Sequence, residues 1–367
     1  MIGGTGSYLA ELIPHQVERY GAENIALLIP SNQMQFVEQS ILDAGPKIIT
    51  FSRPMRSLGA FFLLHRYLTS MSSFQPDIVH AHSSVAGAIV RIFRKSEKSR
   101  IVFCPHGWSV DMAGSRYVRK IAEKVERWLA QFPDCIVVIS KHEYNRAVEL
   151  GLSPSRLKLV PNGIAKEVPD VEAAEWNDDR IKVLYAGRFD YQKGVDILLK
   201  AVEGLEKEVS VRLVGDFALG ELSMPDPLPE CVTRLGWLDR AGVAAQMKSC
   251  DVLVVPSRWE GFGLVAVEAM RLSVPVLAAS VGGLKEILGD GDYGYLTPPE
   301  DYVALRNSLK ALNKEELRKV GVIGNRRFLS TYTSDRMVQQ IDAVYAEIVE
   351  EHVYVSEMKG VREKHLI

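Results

Sequence analysis

The sequence predicts an α/β protein built from two doubly wound parallel-sheet domains, and three observations predict it. Runs of aliphatic and β-branched residues alternate with segments of helical period along the chain, the pattern of parallel strands covered on both faces. At 367 residues the chain is more than twice the roughly 150 residues of an ordinary domain. A charge-rich stretch without sustained apolar period, residues 164–180, parts the alternation into two series and reads as a linker.

In the first series strands are predicted at 24–29, 47–50, 77–81, 100–104, 134–140 and 158–160, with helical patterns at 8–20, 34–43, 58–68 and 118–131. In the second, strands are predicted at 181–186, 209–214, 251–255 and 274–278, separated by helices at 195–202, 241–249 and 264–272. Long helical patterns at 315–329 and 335–349 close the chain, and the polar tail after Glu351 is expected to fray. The domains are therefore placed at 1–165 and 166–334, with 335–367 forming a helix that packs back toward the first domain. Two such sheets joined by a linker are expected to face each other across a cleft. A glycine loop, Gly3-Gly4-Thr5-Gly6, opens the first helix with no strand ahead of it. In a doubly wound domain that loop normally follows the first strand, so the first strand of the N-terminal domain is expected to be absent.

Hydrophobic residues at 47% and charged ones at 25% are ordinary for a globular protein, and a net charge of −2 does not favour nucleic acid. The charge is uneven: residues 1–150 hold 17 lysines and arginines against 13 acids, which leaves the remainder at −6. Four cysteines lie far apart without a C-x-x-C pair, and no cluster of His, Cys and carboxylates has metal-ligand spacing. Free thiols in a reducing compartment, no resident metal and no cofactor are expected. With no apolar run of about 18 residues and no leader, a cytoplasmic protein without a membrane span is expected.

The most telling motif is Glu260-Gly-Phe-Gly-Leu-Val-Ala-Val-Glu268, which follows one predicted strand and enters a helix. Open α/β sheets place ligands at strand carboxyl ends, and glycines at a helix start expose backbone N–H groups to anions. A capped helix with two unremarkable glutamates is the competing reading, since fold alone does not confer function. Arg188 and Lys193 straddle the turn after the 181–186 strand, where both cations can reach one point beside a helix N-terminus. That suits a diphosphate; two solvated cations are the alternative. His106 follows the 100–104 strand, and His80 and His82 end the strand before it. A role is expected for His106 and packing for His80.

Taken together, GGTGSY, the HAHSS and PHGW stretches, PNG at 161–163, AGRFDYQKG, PSRWEGFGLVAVEAM, Pro275-Val276 and the VGG motif at 281–283 with Glu286 resemble the retaining GT-B glycosyltransferases of family four. The likeness runs in order from Gly3 to about Tyr345. It implies a GT-B fold and transfer of a sugar from a nucleotide donor, UDP-linked by family tendency, to a glycan or lipid-linked acceptor in surface polysaccharide assembly. It also implies that Glu260 holds hydroxyls of the donor sugar and Glu268 the ribose. Arg188 and Lys193 would neutralise the leaving diphosphate, with backbone N–H groups of Phe262, Gly263 and Leu264 assisting. His106 would lie near the transferred sugar, and the Gly3-Gly4 loop would close over the donor. Ser273, Lys285 and Ala165 depart from residues common in the family and bear on local turns.

A nucleotide-sugar epimerase on the same fold and a truncated, non-catalytic sugar-nucleotide-binding protein are the rival readings. A glycoside hydrolase fits poorly: eight helical residues rise about 12 Å, beyond the roughly 5 to 9.5 Å that paired hydrolase carboxylates require. Ten cations against four acids between Arg91 and Arg127, together with the apolar 58–68 segment, suit an anionic membrane surface as a partner, with a buried helix and solvated charges as the competing reading.

Overall fold

The computed structural model describes residues 4–53, 56–94, 98–111, 116–217, 224 and 226–364. The chain forms two compact units, residues 1–163 with 334–367, and residues 164–333.

In the first unit the strands are β1 (Ala26–Pro30), β2 (Lys47–Phe51), β3 (Ile78–His82), β4 (Arg100–Cys104), β5 (Cys135–Val138) and β6 (Leu157–Leu159). The helices are α1 (Gly4–Tyr20), α2 (Gln39–Ala44), α3 (Arg56–Phe74), α4 (Ser84–Ile92), α5 (Arg116–Leu129) and α6 (Lys141–Glu149). All strand pairs are parallel, yet they fall into two sheets, β1–β2 and β3–β4–β5–β6. Among the described residues no strand joins β1 to β3. Burial follows: β4 and β5 are almost wholly buried, whereas β1 and β3 each bury one residue.

The second unit contains β7 (Ile181–Ala186), α7 (Val195–Val202), β8 (Val209–Val214), β9 (Val232–Gly236), α8 (Arg240–Ser249), β10 (Val252–Val255), α9 (Leu264–Arg271), β11 (Val276–Ala279), α10 (Gly282–Leu288), β12 (Tyr295–Thr297), α11 (Tyr302–Ala311) and α12 (Lys314–Thr331). Its six strands form one parallel sheet in the order β12-β11-β10-β7-β8-β9. The central strands bury apolar residues on both faces, and Val183, Val211, Val252 and Leu277 join α7 in one core. The 164–180 stretch contains no helix or strand but is anchored by Trp176, which is buried and donates to the Ser210 hydroxyl at 3.0 Å.

The last helix, α13 (Ser334–Lys364), belongs to the first unit. Its Asp342 accepts hydrogen bonds from Arg19 at 2.7 Å and Tyr20 at 2.9 Å, clamping it to α1. Residues 352–364 of the tail continue this helix. The 34–43 pattern is not one helix: a 3-10 turn covers Ser31–Phe36, and α2 starts only at Gln39 after extended Glu38. Strands β9 and β12 were not expected; as edge strands of five and three residues they carry little apolar signal.

Candidate active site

Strands β7 and β10 are neighbours, and the chain leaves them in opposite directions, β7 toward β8 and β10 toward β11. Diverging connections open a crevice at the carboxyl ends, where doubly wound sheets bind ligands. Five residues singled out in the sequence fall on the two loops there: Arg188 and Lys193 after β7, Glu260, Phe262 and Gly263 after β10.

The β7 loop is a tight, internally bonded turn. Tyr185 Oη donates to the Arg188 carbonyl at 2.8 Å, and Asp190 accepts from the Lys193 backbone N–H at 2.9 Å and from Arg188 Nε at 2.8 Å. Gly194, at φ 66°, ends the turn, and a Cβ there would stand 2.2 Å from the Pro256 carbonyl. The two loops therefore meet at backbone distance, which places Lys193 Nζ 2.7 and 3.0 Å from the Glu260 carboxylate oxygens. The pair is largely shielded, with side-chain exposures of 23% and 12%.

A second contact locks the loops together. Arg258 binds both oxygens of Asp196 at 3.0 and 2.7 Å, donates to the Tyr191 carbonyl at 2.7 Å and stacks on the Tyr191 ring 3.9 Å away. Gln192 adds a bond to the Trp259 carbonyl at 3.2 Å. Arg258, Asp196, Asp190 and Gln192 escaped the sequence reading because their roles arise from two loops meeting, and no local spacing signals that.

Helices α7 and α9 both begin at left-handed glycines, Gly194 and Gly263, without a side-chain cap. By contrast α8, α11 and α12 are capped by Asp239, Asp301 and Asn313. The Ile197 and Ala266 N–H groups donate to the Gly194 and Gly263 carbonyls at 2.9 and 3.0 Å, and with no side chain closing either start the positive ends of both helices suit an anion. Phe262 is buried with its ring edge-on to Tyr332 at 5.7 Å, Leu264 is the first residue of α9, and Glu268 lies half-buried one turn further on. Behind the loop, Gly282 and Gly283 press on its backbone: a Cβ at Gly282 would fall 1.8 Å from the Glu260 carbonyl, and Gly283 N–H donates to that oxygen at 3.2 Å.

His106 belongs to the first unit. It holds a left-handed backbone at φ 52° just beyond β4, a cost for a non-glycine residue that the surroundings must sustain. Its Nε2 lies 2.9 Å from His82 Nδ1, and Tyr8 meets its ring edge-on at 4.8 Å. Burial lowers the His106 pKa to about 4 and that of His82 well below normal, so at neutral pH one ring donates and the other accepts. His80 is packed as expected, its Nδ1 2.7 Å from Tyr345 Oη of α13. Gly4 is the exposed first residue of α1, while Gly3 lies outside the described residues.

The expectation that no His and Cys group could meet a metal needs correction, because His82, Cys104 and His106 bring ligand atoms within 4.8 Å of one another. Sequence spacing hides this: His82 and Cys104 are register partners on adjacent strands. Each histidine already spends a nitrogen on the other, and burial pushes the Cys104 thiol pKa up, opposing a thiolate ligand.

Two parallel α/β units, one carrying paired cations and carboxylates at its switch point, define a GT-B fold, and comparison with known proteins agrees. Residues 2–168 match the model of Glycosyltransferase Family 4 and residues 169–326 that of glycosyl transferases group 1. The chain belongs to this glycosyltransferase family and is an enzyme of the transferase class. It is 35% identical to an uncharacterized glycosyltransferase of Methanocaldococcus jannaschii over 79% of this chain and 82% of that one. It is 34% identical to an uncharacterized 41.2 kDa protein in a cps region of Klebsiella pneumoniae, over 68% and 72%. Among solved structures, Anabaena HepE in complex with UDP-glucose superposes with a TM-score of 0.76 at 20% identity, covering 95% of this chain and 97% of that one. Sucrose-phosphate synthase from Thermosynechococcus elongatus gives 0.72 at 22% identity, covering 84% of each. No helix among the described residues is long and apolar enough to cross a membrane.

Proposed function

We propose that this glycosyltransferase moves a sugar from a UDP-linked donor, with retention of configuration, to a glycan or lipid-linked acceptor in surface polysaccharide assembly. In this reading residues 166–334 bind the donor and residues 1–165 serve the acceptor, and the protein works in the cytoplasm at the inner face of the cell membrane.

The observation that carries the donor half is the convergence of Arg188, Lys193 and Glu260 with the uncapped starts of α7 and α9 at one switch point. Departure of a nucleoside diphosphate builds negative charge on phosphate oxygens. Fixed cations and helix N–H groups aimed there stabilise it without reorganising. Arg188 offers a planar fork and Lys193 a compact charge.

Lys193 is paired with Glu260. An arriving diphosphate competes for the ammonium, and the carboxylate turns its oxygens to sugar hydroxyls. Glu268, a turn into α9, is assigned to the ribose and His106 to the transferred sugar, with the Gly3-Gly4 loop closing over the donor. Support for UDP comes from HepE, which is described in complex with UDP-glucose. Support for the polysaccharide role comes from the Klebsiella relative in a cps region.

A thermal-shift panel of nucleotide sugars and nucleoside diphosphates tests this without knowing the acceptor. UDP-sugars are expected to raise the midpoint, and Glu260→Ala and Lys193→Ala to remove the shift. A panel in which no nucleotide stabilises the wild type overturns the reading.

A further inference from the structure

Helix α5 turns its greasy side outward. Tyr117, Val118, Ile121, Val125 and Trp128 are 80, 60, 55, 46 and 50% exposed, and at 3.6 residues per turn they share an arc of roughly 100°. The inward arc is taken by Glu126 and Leu129, both buried. The neighbouring outward arc carries Lys120, Lys124 and Arg127, all exposed, with Arg119 beyond. The end of α4, bound to α5 through Arg91 and Glu126 at 3.0 Å, adds exposed Ile92 and Phe93.

The acids of α5 are withheld from this surface. Glu126 is buried against Arg91, and Glu123 pairs with Arg146 at 3.1 Å. What faces solvent along α5 is therefore an apolar stripe flanked by cations whose own carboxylates are spent elsewhere. A contiguous exposed apolar patch on a soluble fold marks an interaction surface.

We infer that α5 lies flat on an anionic lipid bilayer, its stripe seated among the acyl chains and its cations on the headgroups. The charge pattern selects this occupant: cations beside an apolar stripe match a surface that is apolar below and anionic above. Tyr117 and Trp128, near the two ends of the stripe, have rings with an apolar body and a polar tip, suited to that boundary. A second copy of the chain would bring the same cations without acids to meet them. The inference rests on the membrane part of the proposed function and replaces the 58–68 segment as the leading contact. Since α5 follows the loop that carries His106, docking would also hold that end of the β3–β6 sheet at the membrane, where a lipid-linked acceptor resides.

The test uses the full chain and co-sedimentation with vesicles of phosphatidylcholine alone or mixed with phosphatidylglycerol. Binding is expected to the mixed vesicles, to fall at least tenfold with phosphatidylcholine alone or at high salt, and to be lost in the double variants Ile121→Glu/Val125→Glu and Lys120→Glu/Lys124→Glu. These positions are exposed, so both variants are expected to keep the wild-type circular dichroism and the UDP-sugar thermal shift, which separates this idea from the donor reading. Absence of binding to anionic vesicles at low salt overturns it. So does binding that survives both double variants, or a wild-type dimer that the stripe variant splits while vesicles bind nothing.

Discussion

Lys193 and Glu260 show how one ion pair sets two expectations. Removing the lysine takes the paired ammonium from a carboxylate at 12% exposure and, in the proposed reading, a charge from the leaving group. Lys193→Ala is expected to lower kcat by about 10² to 10³-fold, with circular dichroism unchanged; near-normal turnover would refute its assigned role. The histidines make a separate prediction. Burial lowers His80 to about 3 and His106 to about 4, whereas imidazoles in the unfolded chain titrate near 6.5. Between those values the unfolded state binds more protons, so stability falls as pH drops from about 6.5 toward 4. The thermal midpoint should decline across that window, and more gently in His106→Gln. An imidazole of His106 that titrates near 6.5 by NMR would contradict this.

At the scale of elements, the site depends on helices that start without caps and on a glycine pair that lets a third loop press against the second. Gly282→Ala puts a methyl at φ 46° into the Glu260 carbonyl. Its expected cost is at least about 2 kcal/mol, read by urea unfolding, with weakened UDP-sugar binding because Glu260 must shift. Unchanged affinity alongside lost stability would show that the loop tolerates the push. The strands legible in the sequence were those rich in aliphatic and β-branched residues: β4, β7 and β8 fall at the expected residues. Edge strands β9 and β12 were not, because each buries only one residue and carries too few apolar residues to set a period. The 3-10 turn at Ser31–Phe36 replaced an expected helix start because extended Pro30 and Val37 bound it on both sides.

For the whole molecule, the division into two units makes stability a local property. A donor whose diphosphate and ribose are held by the second unit adds stability chiefly there by mass action. Amide exchange in the presence of UDP-sugar should slow in residues 186–194 and 256–268 and stay fast in β1 and β2, whose two-stranded sheet lacks the buried ladders of the second unit. Equal slowing in β1, β2 and these loops would count against holding the diphosphate and ribose on the second unit. The uneven charge of the sequence also resolves at this scale: cations of α5 remain exposed, whereas Arg91, in the same basic run, is fully buried and paired.

The sequence by itself determined the alternation of strands and helices, the two-domain division it predicts and the residue types at the candidate site, because periodicity and glycine-bracketed motifs are local properties of the chain. Tertiary structure alone decided which residues touch. It paired Lys193 with Glu260, made Arg258 a strap between two loops, set His82 beside Cys104 and His106, and turned the apolar side of α5 outward. Those outcomes depend on which strands become neighbours and which helix face meets the core, and such long-range choices leave no trace in local spacing.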